Sequence, residues 1–532
     1  MAIKSFFKDF NLVLREMDNM IKEKKIYDFS DIKEQGKENL KILLVYPQYP
    51  NTFWSFQGIL KFINKKAAFP PLGLLTVAAM LPEKWDLKLI DMNVDNLNDS
   101  DILSADAVFI SAMIVQKKSV KDVIKRVKKL GKPIAAGGPL FTTGWEEFTD
   151  DVDSLILGEA ESNLEDFLND LSNGNVKKIY EVGEFPSISK AVSPRWNLIN
   201  MKYYNSMCLQ ISRGCPFNCD FCDIVKLNGR IPRIKTGQQV INELEALYKS
   251  GWRGGVFFVD DNLIGNQRIL EHEILPAIIE WQKKRKQPFL FNTQASIDLA
   301  DKPGLMRLMV KAGFTTIFVG IESPQDESLK ECSKYQNKNR DLLKSVNILQ
   351  NAGFEIQGGF IVGFDSDSPH IFQKQIEFIQ KSGIVTAMVG LLNALPQTKL
   401  YQRLKETGRL INESSGLNTG MDMNFIPKMN LDVLMDGYKK IVKTIYSPKQ
   451  YYERVKTFLS EFKPPFRKAP KLHLYYIKAL FVSIWYSGIK ASGKKYYWKL
   501  FFWSVFRRPT MFPYVIGTSI TRIHFSKLYC ES

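Results

Sequence analysis

Short apolar runs alternate with amphipathic stretches in a first block of the chain, from Lys41 to Leu157. The apolar runs predict strands and the amphipathic stretches predict helices, because a buried strand is a short continuous run whereas a helix repeats every 3.6 residues. The predicted strands are Ile42–Tyr46, Leu87–Ile90, Ala107–Ile110, Pro133–Ala136 and Ser154–Leu157, and the clearest predicted helices are Leu72–Leu81 and Val120–Leu130. This order predicts an α/β fold with a doubly wound parallel sheet, which binds ligands at the carboxyl ends of its strands.

The same alternation returns in a second block, from Cys208 to about Leu404. The predicted strands are Met207–Ile211, Val256–Val259, Phe289–Asn292, Thr316–Val319, Glu355–Ile361 and Val385–Leu391, and helices such as Gln239–Lys249 and Arg340–Asn351 lie between them. Six βα units predict a partial (β/α)6 barrel related to the TIM barrel, with its chemistry at the strands' C-terminal ends. Past Asn424 the pattern is helical, then basic and aromatic. We expect the chain to divide into four parts. They are an N-terminal amphipathic extension (residues 1–40), a doubly wound domain (residues 41–200), a barrel (residues 201–420) and a C-terminal helical domain (residues 421–532).

Positive charge is concentrated at the C-terminal end of the 532-residue chain. The formal net charge is +17, and the stretch from Lys463 to Cys530 holds 13 Lys or Arg residues, 17 aromatic residues and no Asp or Glu. A basic, aromatic surface of this kind suits an anionic partner, either lipid headgroups or nucleic acid. The aromatic residues could instead pack a helical core, but that alternative leaves the absence of acids unexplained.

The sequence does not predict export or a membrane span. The N-terminal apolar pattern from Phe6 to Ile21 is interrupted by Asp9, Glu16 and Asp18, and it lacks the cleavage site of a signal peptide. No apolar run reaches the ~18 residues of a spanning helix. We therefore expect a cytoplasmic protein that can bind peripherally to the inner face of the membrane.

Three cysteines lie within eight residues, directly after the first predicted strand of the second block: Cys215, Cys219 and Cys222. Three thiolates on a loop at a strand end can hold a soft metal ion or an iron–sulfur cluster. A structural zinc site usually has a fourth ligand, and no further Cys or His follows nearby, although Cys208 precedes the loop. In a 4Fe-4S cluster, three ligands leave one iron free for a substrate or cofactor. We therefore expect a 4Fe-4S cluster, with zinc as the alternative.

This CxxxCxxC loop, with Phe221 before its last cysteine, resembles the cluster loop of the radical S-adenosylmethionine enzymes. The resemblance extends in order to the ends of later predicted strands. It implies that Asp260 and Asp261 lie near the methionyl amine of S-adenosylmethionine. It also implies contacts with the ribose, carboxylate and adenine from the later strand ends, which carry Gly320, Glu322, Ser323, Gly358 and Gly359.

Several of these residues have structural alternatives. Asp260 and Asp261 could be helix N-caps or salt-bridge partners, and Glu322 could pair with an Arg or Lys. Cys332 follows soon after Glu322 and is a candidate donor of a hydrogen atom or proton late in a reaction. A buried, unreactive thiol is the alternative for Cys332.

The first block carries small residues where its predicted strands end, at Ser111, Ala112, Gly137, Gly138 and before Glu159. Plain loop geometry is the alternative explanation, and the absence of a GxGxxG string disfavours a nicotinamide dinucleotide. A doubly wound domain before a radical S-adenosylmethionine barrel resembles the domain that binds cobalamin in the cobalamin-dependent subclass. The usual Asp-x-His-x-x-Gly string is absent, and all four histidines lie outside residues 1–207. The resemblance therefore implies a cobalt ion without a histidine ligand from this domain.

Over most of its length the chain is similar to the subgroup that includes hopanoid C-2 methylases and archaeal tetraether ring-forming enzymes. The segments that carry this similarity include Phe53–Phe56, Phe69–Leu81, Gly383–Gly390 and Ile445–Pro448. The similarity implies an enzyme that takes hydrogen from an unactivated carbon of a polycyclic or isoprenoid lipid and adds a methyl group from methylcobalamin. Such a C–H bond has no acidic proton for a general base, so a radical must open it. An electron donor such as flavodoxin or ferredoxin is implied, and nucleic acid is not expected.

Three other functions stay open at this point. The first is ring or crosslink formation in a lipid without methyl transfer, which begins with the same hydrogen abstraction. The second is an RNA-modifying enzyme that uses the basic, aromatic tail, although methylthiotransferases hold a second cluster with N-terminal cysteines, and here no cysteine precedes Cys208. The third is a catalytically silent protein that senses cobalamin or lipid, which the intact cysteine loop disfavours.

Overall fold

The computed structural model describes residues 28–34, 37–464 and 474–529. The predicted N-terminal helical pattern from Phe6 to Ile21 lies outside these residues, as does Cys530. The described residues form two compact units, and each is described by itself. The first contains the residues up to Tyr49 together with Gly73–Pro186, and the second contains Pro50–Leu72 and the residues from Ser187 onward. The predicted domain boundaries stay predictions, but Pro50–Leu72 groups with the second unit rather than the first.

The first unit contains a six-stranded parallel sheet with the order β2-β1-β3-β4-β5-β6. Its strands are β1 Lys41–Tyr46, β2 Asp86–Asp91, β3 Ala107–Ser111, β4 Ile134–Gly137, β5 Ser154–Ile156 and β6 Ile179–Tyr180. Its helices are α1 Phe29–Glu34, α2 Leu72–Met80, α3 Asp99–Ser104, α4 Lys117–Lys129, α5 Pro139–Gly144 and α6 Ala160–Asn173. The order reverses between β1 and β3, which confirms the predicted doubly wound fold. The two-residue strand β6 was not predicted because its apolar run is too short to recognise.

The second unit contains six parallel strands in the order β14-β13-β12-β11-β10-β7. These are β7 Ser206–Leu209, β10 Gly255–Phe258, β11 Leu290–Gln294, β12 Phe314–Glu322, β13 Glu355–Val362 and β14 Thr386–Leu391. Sequential neighbours with helices between them confirm the predicted partial barrel. The α-helices of five or more residues in the barrel are α7 Ile224–Asn228, α8 Gly237–Lys249, α9 Leu275–Lys284, α10 Pro303–Ala312, α11 Asp326–Glu331, α12 Leu342–Ala352, α13 His370–Ser382 and α14 Lys399–Glu406. A small antiparallel pair, β8 Ser212–Arg213 and β9 Arg233–Ile234, closes the base of the loop that carries the three cysteines.

The C-terminal part of the second unit is helical, as predicted. Its helices are α15 Leu431–Ile445, α16 Pro448–Glu461, α17 Leu474–Ser483 with a π-helical continuation to Lys490, α18 Lys494–Arg507 and α19 Phe512–Tyr529. In the described part of the chain, no helix is both long and apolar enough to cross a membrane.

Side chains from the C-terminal helices cover the free edge of strand β14. The Tyr446 hydroxyl accepts a hydrogen bond from the Ala387 amide at 3.2 Å and donates one to the Ala387 carbonyl at 2.8 Å. Tyr438 donates to the carbonyl of Val389, and the buried Arg454 donates to that of Val385. These side chains bond with backbone groups that a further strand would otherwise pair.

The segment Pro50–Leu72 covers the opposite edge of this sheet and packs on the C-terminal helices. The backbone of Lys66–Ala68 makes hydrogen bonds with residues 203–206, beside the start of strand β7. Phe53 stacks on Phe525 of α19 at a centroid distance of 4.7 Å, and His524 bonds with the Phe53 carbonyl. These contacts join residues far apart in sequence, which is why the sequence pattern does not reveal them.

Candidate active site

The three cysteines lie on one loop at the carboxyl end of the second sheet. Cys215 donates its amide to the Gly229 carbonyl, and the Cys222 amide donates to that of Cys219. None of the three is in a disulfide. Burial raises the pKa of each thiol, so metal binding must displace a proton from each of them.

Asp260 and Asp261 follow strand β10 and hold the start of the cysteine loop. The Asp260 carboxylate is completely buried and accepts hydrogen bonds from the amides of Ile211 and Ser212 and from the Ser212 hydroxyl. Asp261 accepts from the Gly214 amide at 2.8 Å and from the side chain of Asn228 at 2.9 Å. Burial raises the pKa of Asp260 to about 6. Both carboxylates thus position the loop, and a direct contact from either to a cofactor stays a prediction.

Glu322 lies at the irregular end of strand β12, where the pairing with β13 shifts register. Its backbone φ is +62°, an uncommon conformation for a residue with a side chain. Its carboxylate forms an ion pair with Lys334 at 2.8 Å, and the two side chains are only 8% and 14% exposed. This pairing agrees with the structural alternative for Glu322, and it places both groups beside Gly320. A Cβ on Gly320 would meet the Glu322 carboxylate and the Lys334 ammonium, so a larger residue there would displace the ion pair.

The segment from Cys332 to Asn337 packs against the cysteine loop. The Cys332 carbonyl accepts from the Asp220 amide, the Gln336 amide nitrogen lies 4.0 Å from the Cys219 sulfur, and Asn337 donates to the carbonyls of Gly320 and Ile321. Burial by itself would lower the pKa of Lys334, but the charges of Glu322 and Cys219 hold it above its ordinary value. The Lys334 ammonium therefore supplies positive charge beside the three thiols.

Lys334 and Gln336 are site residues that the sequence pattern did not predict. The only available signal was their position two and four residues after the candidate Cys332. The Cys332 thiol itself is buried in an apolar cluster against which Phe221 packs, and it contacts the Leu329 carbonyl. This environment favours the structural alternative for Cys332, whose reactive role stays a prediction.

Gly358 and Gly359 face opposite sides of strand β13. A Cβ on Gly358 would meet Phe360 and Ile384, whereas a Cβ on Gly359 would meet the ring of Phe318 at 2.8 Å. Phe360 contacts Phe378 of helix α13, so Gly358 faces the helical layer and Gly359 faces the inside of the barrel. Ser323, at the end of β12, is buried and its hydroxyl accepts from the Gln325 amide.

In the first unit, the predicted residues come together at the carboxyl edge of its sheet. Ser111 and Gly137 are register partners on β3 and β4, and the Leu140 amide after Gly138 donates to the Ala112 carbonyl. Gly138 has φ +91° and ψ −179°, and a Cβ there would lie 2.7 Å from the Ser111 hydroxyl. Glu159 immediately precedes helix α6. A larger side chain at Gly138 would collide with Ser111 and the Ala112 backbone, so glycine lets these two strand ends lie close together.

These two sets of residues fit the groups that the sequence implied. Three thiols on one loop, beside a buried ammonium, suit an anionic iron–sulfur cluster. Among the described residues, no three His, Cys, Asp or Glu side chains converge on a single-ion site. In a cluster the thiolates bind separate iron atoms, so they need not converge on one point. The glycine-lined edge suits a flat ligand that approaches the backbone closely.

Comparison with known protein families gives matches in both units. The model of the radical SAM superfamily matches residues 209–379, and the model of the B12 binding domain matches residues 63–168. A domain of unknown function, DUF4070, matches residues 398–531.

Similar proteins cover nearly the whole chain. An uncharacterized methyltransferase of Synechocystis sp. is 40% identical over 91% of this chain and 91% of its own length. The hopanoid C-2 methylase of Rhodopseudomonas palustris is 33% identical over 79% of this chain and 80% of its own length. The structure of the cobalamin-dependent S-adenosylmethionine radical enzyme OxsB with aqua-cobalamin bound has a TM-score of 0.60 at 16% identity, and it covers 92% of this chain and 79% of the other. These matches confirm the resemblance drawn from the cysteine loop.

Proposed function

Because the chain belongs to the cobalamin-dependent radical S-adenosylmethionine methyltransferases, we propose that it methylates an unactivated carbon of a polycyclic or isoprenoid membrane lipid. The family uses a 4Fe-4S cluster, S-adenosylmethionine and cobalamin. Its members differ in the carbon they modify, so the substrate class must be argued from this chain's own residues.

The observation that supports a lipid is an apolar wall on the inner face of the barrel sheet. Trp54 packs edge-on against Phe318 at 5.5 Å, and its ring nitrogen lies 3.1 Å from the Met388 sulfur. Phe69 contacts Phe257 of β10 at 5.2 Å. Large aromatic side chains of this kind suit a bulky apolar molecule, because they offer broad surface at little cost in conformational entropy.

When bound, the three cofactors supply the one-electron chemistry that replaces a hydrogen atom on an unactivated carbon with a methyl group. The cysteine loop would hold the cluster through Cys215, Cys219 and Cys222. Asp260 and Asp261 fix that loop, and Lys334 offers a cation to the carboxylate of S-adenosylmethionine or to the cluster. The apolar wall orients the substrate and excludes water from the reacting carbon.

Methyl-labelled S-adenosylmethionine tests the proposal. The reconstituted holoenzyme, supplied with a reductant and a lipid extract, should transfer label into a lipid. Cys219→Ala should lose the cluster's visible absorption, 5′-deoxyadenosine formation and labelling. The matched variant Cys208→Ala, a buried cysteine on β7 outside the loop, should retain the absorption. If 5′-deoxyadenosine forms but no lipid acquires label, ring or crosslink formation is favoured over methyl transfer.

The proposal includes peripheral binding to an anionic membrane through an exposed face that we call the apolar stripe. The stripe consists of Ile477, Phe481, Trp485 and Ile489, spaced four residues apart along α17 and its continuation. All four are exposed, Phe481 to 68%. Phe502 and Phe506 are also exposed on α18, the next helix.

The combination of aromatic rings and basic residues around the apolar stripe favours lipid headgroups as its partner. Lys490 lies over the Trp485 ring at 5.2 Å, and no acidic residue occurs between Lys463 and Cys530. Aromatic rings flanked by Lys and Arg are typical of helices that lie in a membrane interface. Other aromatic residues of the tail, such as Tyr497 and Phe525, are buried, so the core-packing alternative holds only for them.

Vesicle sedimentation tests the membrane contact on the full chain. The protein should pellet with phosphatidylglycerol vesicles in low salt, and F481S/W485S should remain in the supernatant. Ile231→Ser removes an apolar residue that is 80% exposed outside the stripe and should not change pelleting. Deleting 463–532 is a poorer test, because it removes Phe525 from its stack on Phe53. Undiminished pelleting of the double variant would contradict the proposal.

A further inference from the structure

The inner face of the barrel sheet also carries polar side chains beside those of the apolar wall, since Asn292 is a register partner of Phe257. Asn292, Thr316 and Glu355 are successive register partners on β11, β12 and β13. Gln294 and Gln357 lie two residues further along their strands, on either side of Phe318. We call these five residues the inner polar row.

The inner polar row points into the barrel because strand residues alternate between the two faces of a sheet. Phe318 and Gly359, which face inward, lie an even number of residues from Thr316, Glu355 and Gln357. The intervening residues Ile317 and Ile356 are buried on the helical side. The alternation therefore places the five polar side chains on the inner face and the apolar side chains of Ile317 and Ile356 on the outer one.

No hydrogen bond or ion pair joins the five side chains to any other residue that the structure describes. Each side chain keeps part of its accessible surface, so each borders open space rather than packed atoms. Polar groups inside a protein are nearly always paired, and an unpaired set around open space needs a ligand or water to complete it.

We propose that the inner polar row binds the uncharged, hydroxyl-bearing end of an elongated substrate whose apolar body lies against Trp54, Phe318 and Met388. The inference rests on the proposed function, because it assigns a subsite for the same substrate. Amide and hydroxyl side chains both donate and accept hydrogen bonds, which matches the double character of alcohols.

Glu355 is the residue of the inner polar row whose charge determines whether the row prefers an alcohol or an amine. Burial raises the pKa of its carboxyl group to about 7. The titratable group near it is Tyr514 of α19, whose pKa is itself raised to about 12 by burial, and no Lys, Arg or His pairs with Glu355 among the described residues. A neutral carboxyl group can donate a hydrogen bond to a hydroxyl oxygen and accept one from a hydroxyl group.

The row also defines a length for the substrate. Glu355 precedes Gly359 by four residues, and Gly359 pairs with Gly320 beside the ion pair at the strand end. At about 3.3 Å per residue, the hydroxyl-bearing end would lie ~13 Å along the strand direction from the level of Gly320. A molecule that spans this distance must be long or polycyclic.

Calorimetric titration of the full chain with 1,2-dodecanediol, which carries both hydroxyl groups at one end, tests the subsite without turnover. Dodecanol, which carries a single hydroxyl group, is the reference for the second hydroxyl group, and dodecylamine is the cationic reference. The wild-type protein should bind the diol about tenfold more tightly than the alcohol, as expected for one or two additional hydrogen bonds. The preference should disappear in Glu355→Leu and in Gln357→Leu, because the affinity for the diol should fall more than the affinity for dodecanol.

Three controls keep the test decisive. Glu355→Gln should preserve the preference, because an amide both donates and accepts. Gln373→Leu removes an exposed amide on the outer helix α13 and should change nothing. Thr316→Val serves if a leucine variant fails to fold, because it removes only a hydroxyl group and should reduce the preference severalfold.

Equal affinity for diol and alcohol, no binding of either, or a preference that survives the leucine substitutions would overturn the proposal. Tighter binding of dodecylamine than of the diol would also overturn the proposal, since that result would mean that the inner polar row binds a cation. Failure of the proposed function gives a different result: a Glu355-dependent preference for the diol with no lipid labelling would retain the subsite and reject methyl transfer to a lipid.

Discussion

Replacement of Lys334 by Met should destabilise the barrel unit strongly. The Lys334 ammonium and the Glu322 carboxylate are 2.8 Å apart and almost completely shielded from water. Removal of one partner of such a pair leaves a buried, uncompensated charge, which costs about 3–5 kcal/mol. Asn337 and Gly320 pack around the same strand end and limit its relaxation. We therefore expect Lys334→Met to lower the free energy of unfolding by about 3–5 kcal/mol.

The double variant E322Q/K334M should recover much of this loss. It contains no buried charge at the pair, so we expect its free energy of unfolding to lie within about 2 kcal/mol of wild type. Urea unfolding of the four proteins in the cycle, followed by tryptophan fluorescence, measures the coupling. Lys330→Met, which removes an exposed lysine four residues upstream, is the matched control and should cost less than about 0.5 kcal/mol. Additive single effects, within about 0.5 kcal/mol, would show that the pair is not coupled and would refute this reasoning.

Three further predictions concern other parts of the molecule. Gly138→Ala forces a residue with a Cβ into a conformation that only glycine adopts readily. The free energy of unfolding of the first unit should therefore fall by about 1–3 kcal/mol, and the absorbance of bound cobalamin should also fall. Tyr446→Phe leaves the Ala387 amide and carbonyl unpaired and should cost about 2–4 kcal/mol in urea unfolding, whereas the exposed Tyr335→Phe should be neutral. Glu355 has a pKa raised from 4.5 to about 7 in the folded protein, so the folded state binds more protons than the unfolded state between these values. The free energy of unfolding should therefore fall as pH rises through this range, and Glu355→Gln should flatten that fall; an unchanged slope would contradict it.

The sequence predicted what depends on local pattern. Strands such as β3 and β12 are recognisable because a continuous or alternating apolar run is a property of a few neighbouring residues. The cysteine loop was found for the same reason, since its three ligands lie within eight residues. The glycines at Gly137 and Gly138 were found because they follow a strand directly.

The remaining features depend on contacts between distant residues. Lys334 is an ordinary lysine in the sequence, and only the fold brings it to Glu322 and the thiols. The segment Pro50–Leu72 precedes helix α2, yet Phe53 stacks on Phe525 near the other end of the chain. The inner polar row could not be predicted from the sequence, because Asn292, Thr316 and Glu355 come from three different strands. Only the register of the sheet brings them side by side.

The covering of strand β14 by Tyr446 has a consequence for synthesis of the chain. The bond between the Tyr446 hydroxyl and Ala387 spans 59 residues, so the strand leaves the ribosome well before the side chain that completes its edge. At about 5–20 residues per second, the nascent barrel spends roughly 3–12 seconds with that edge unprotected. Unpaired strand edges recruit other chains. A pause in translation just before Tyr446 should therefore raise aggregation of the newly synthesised protein more than a pause near the C-terminal end of the chain.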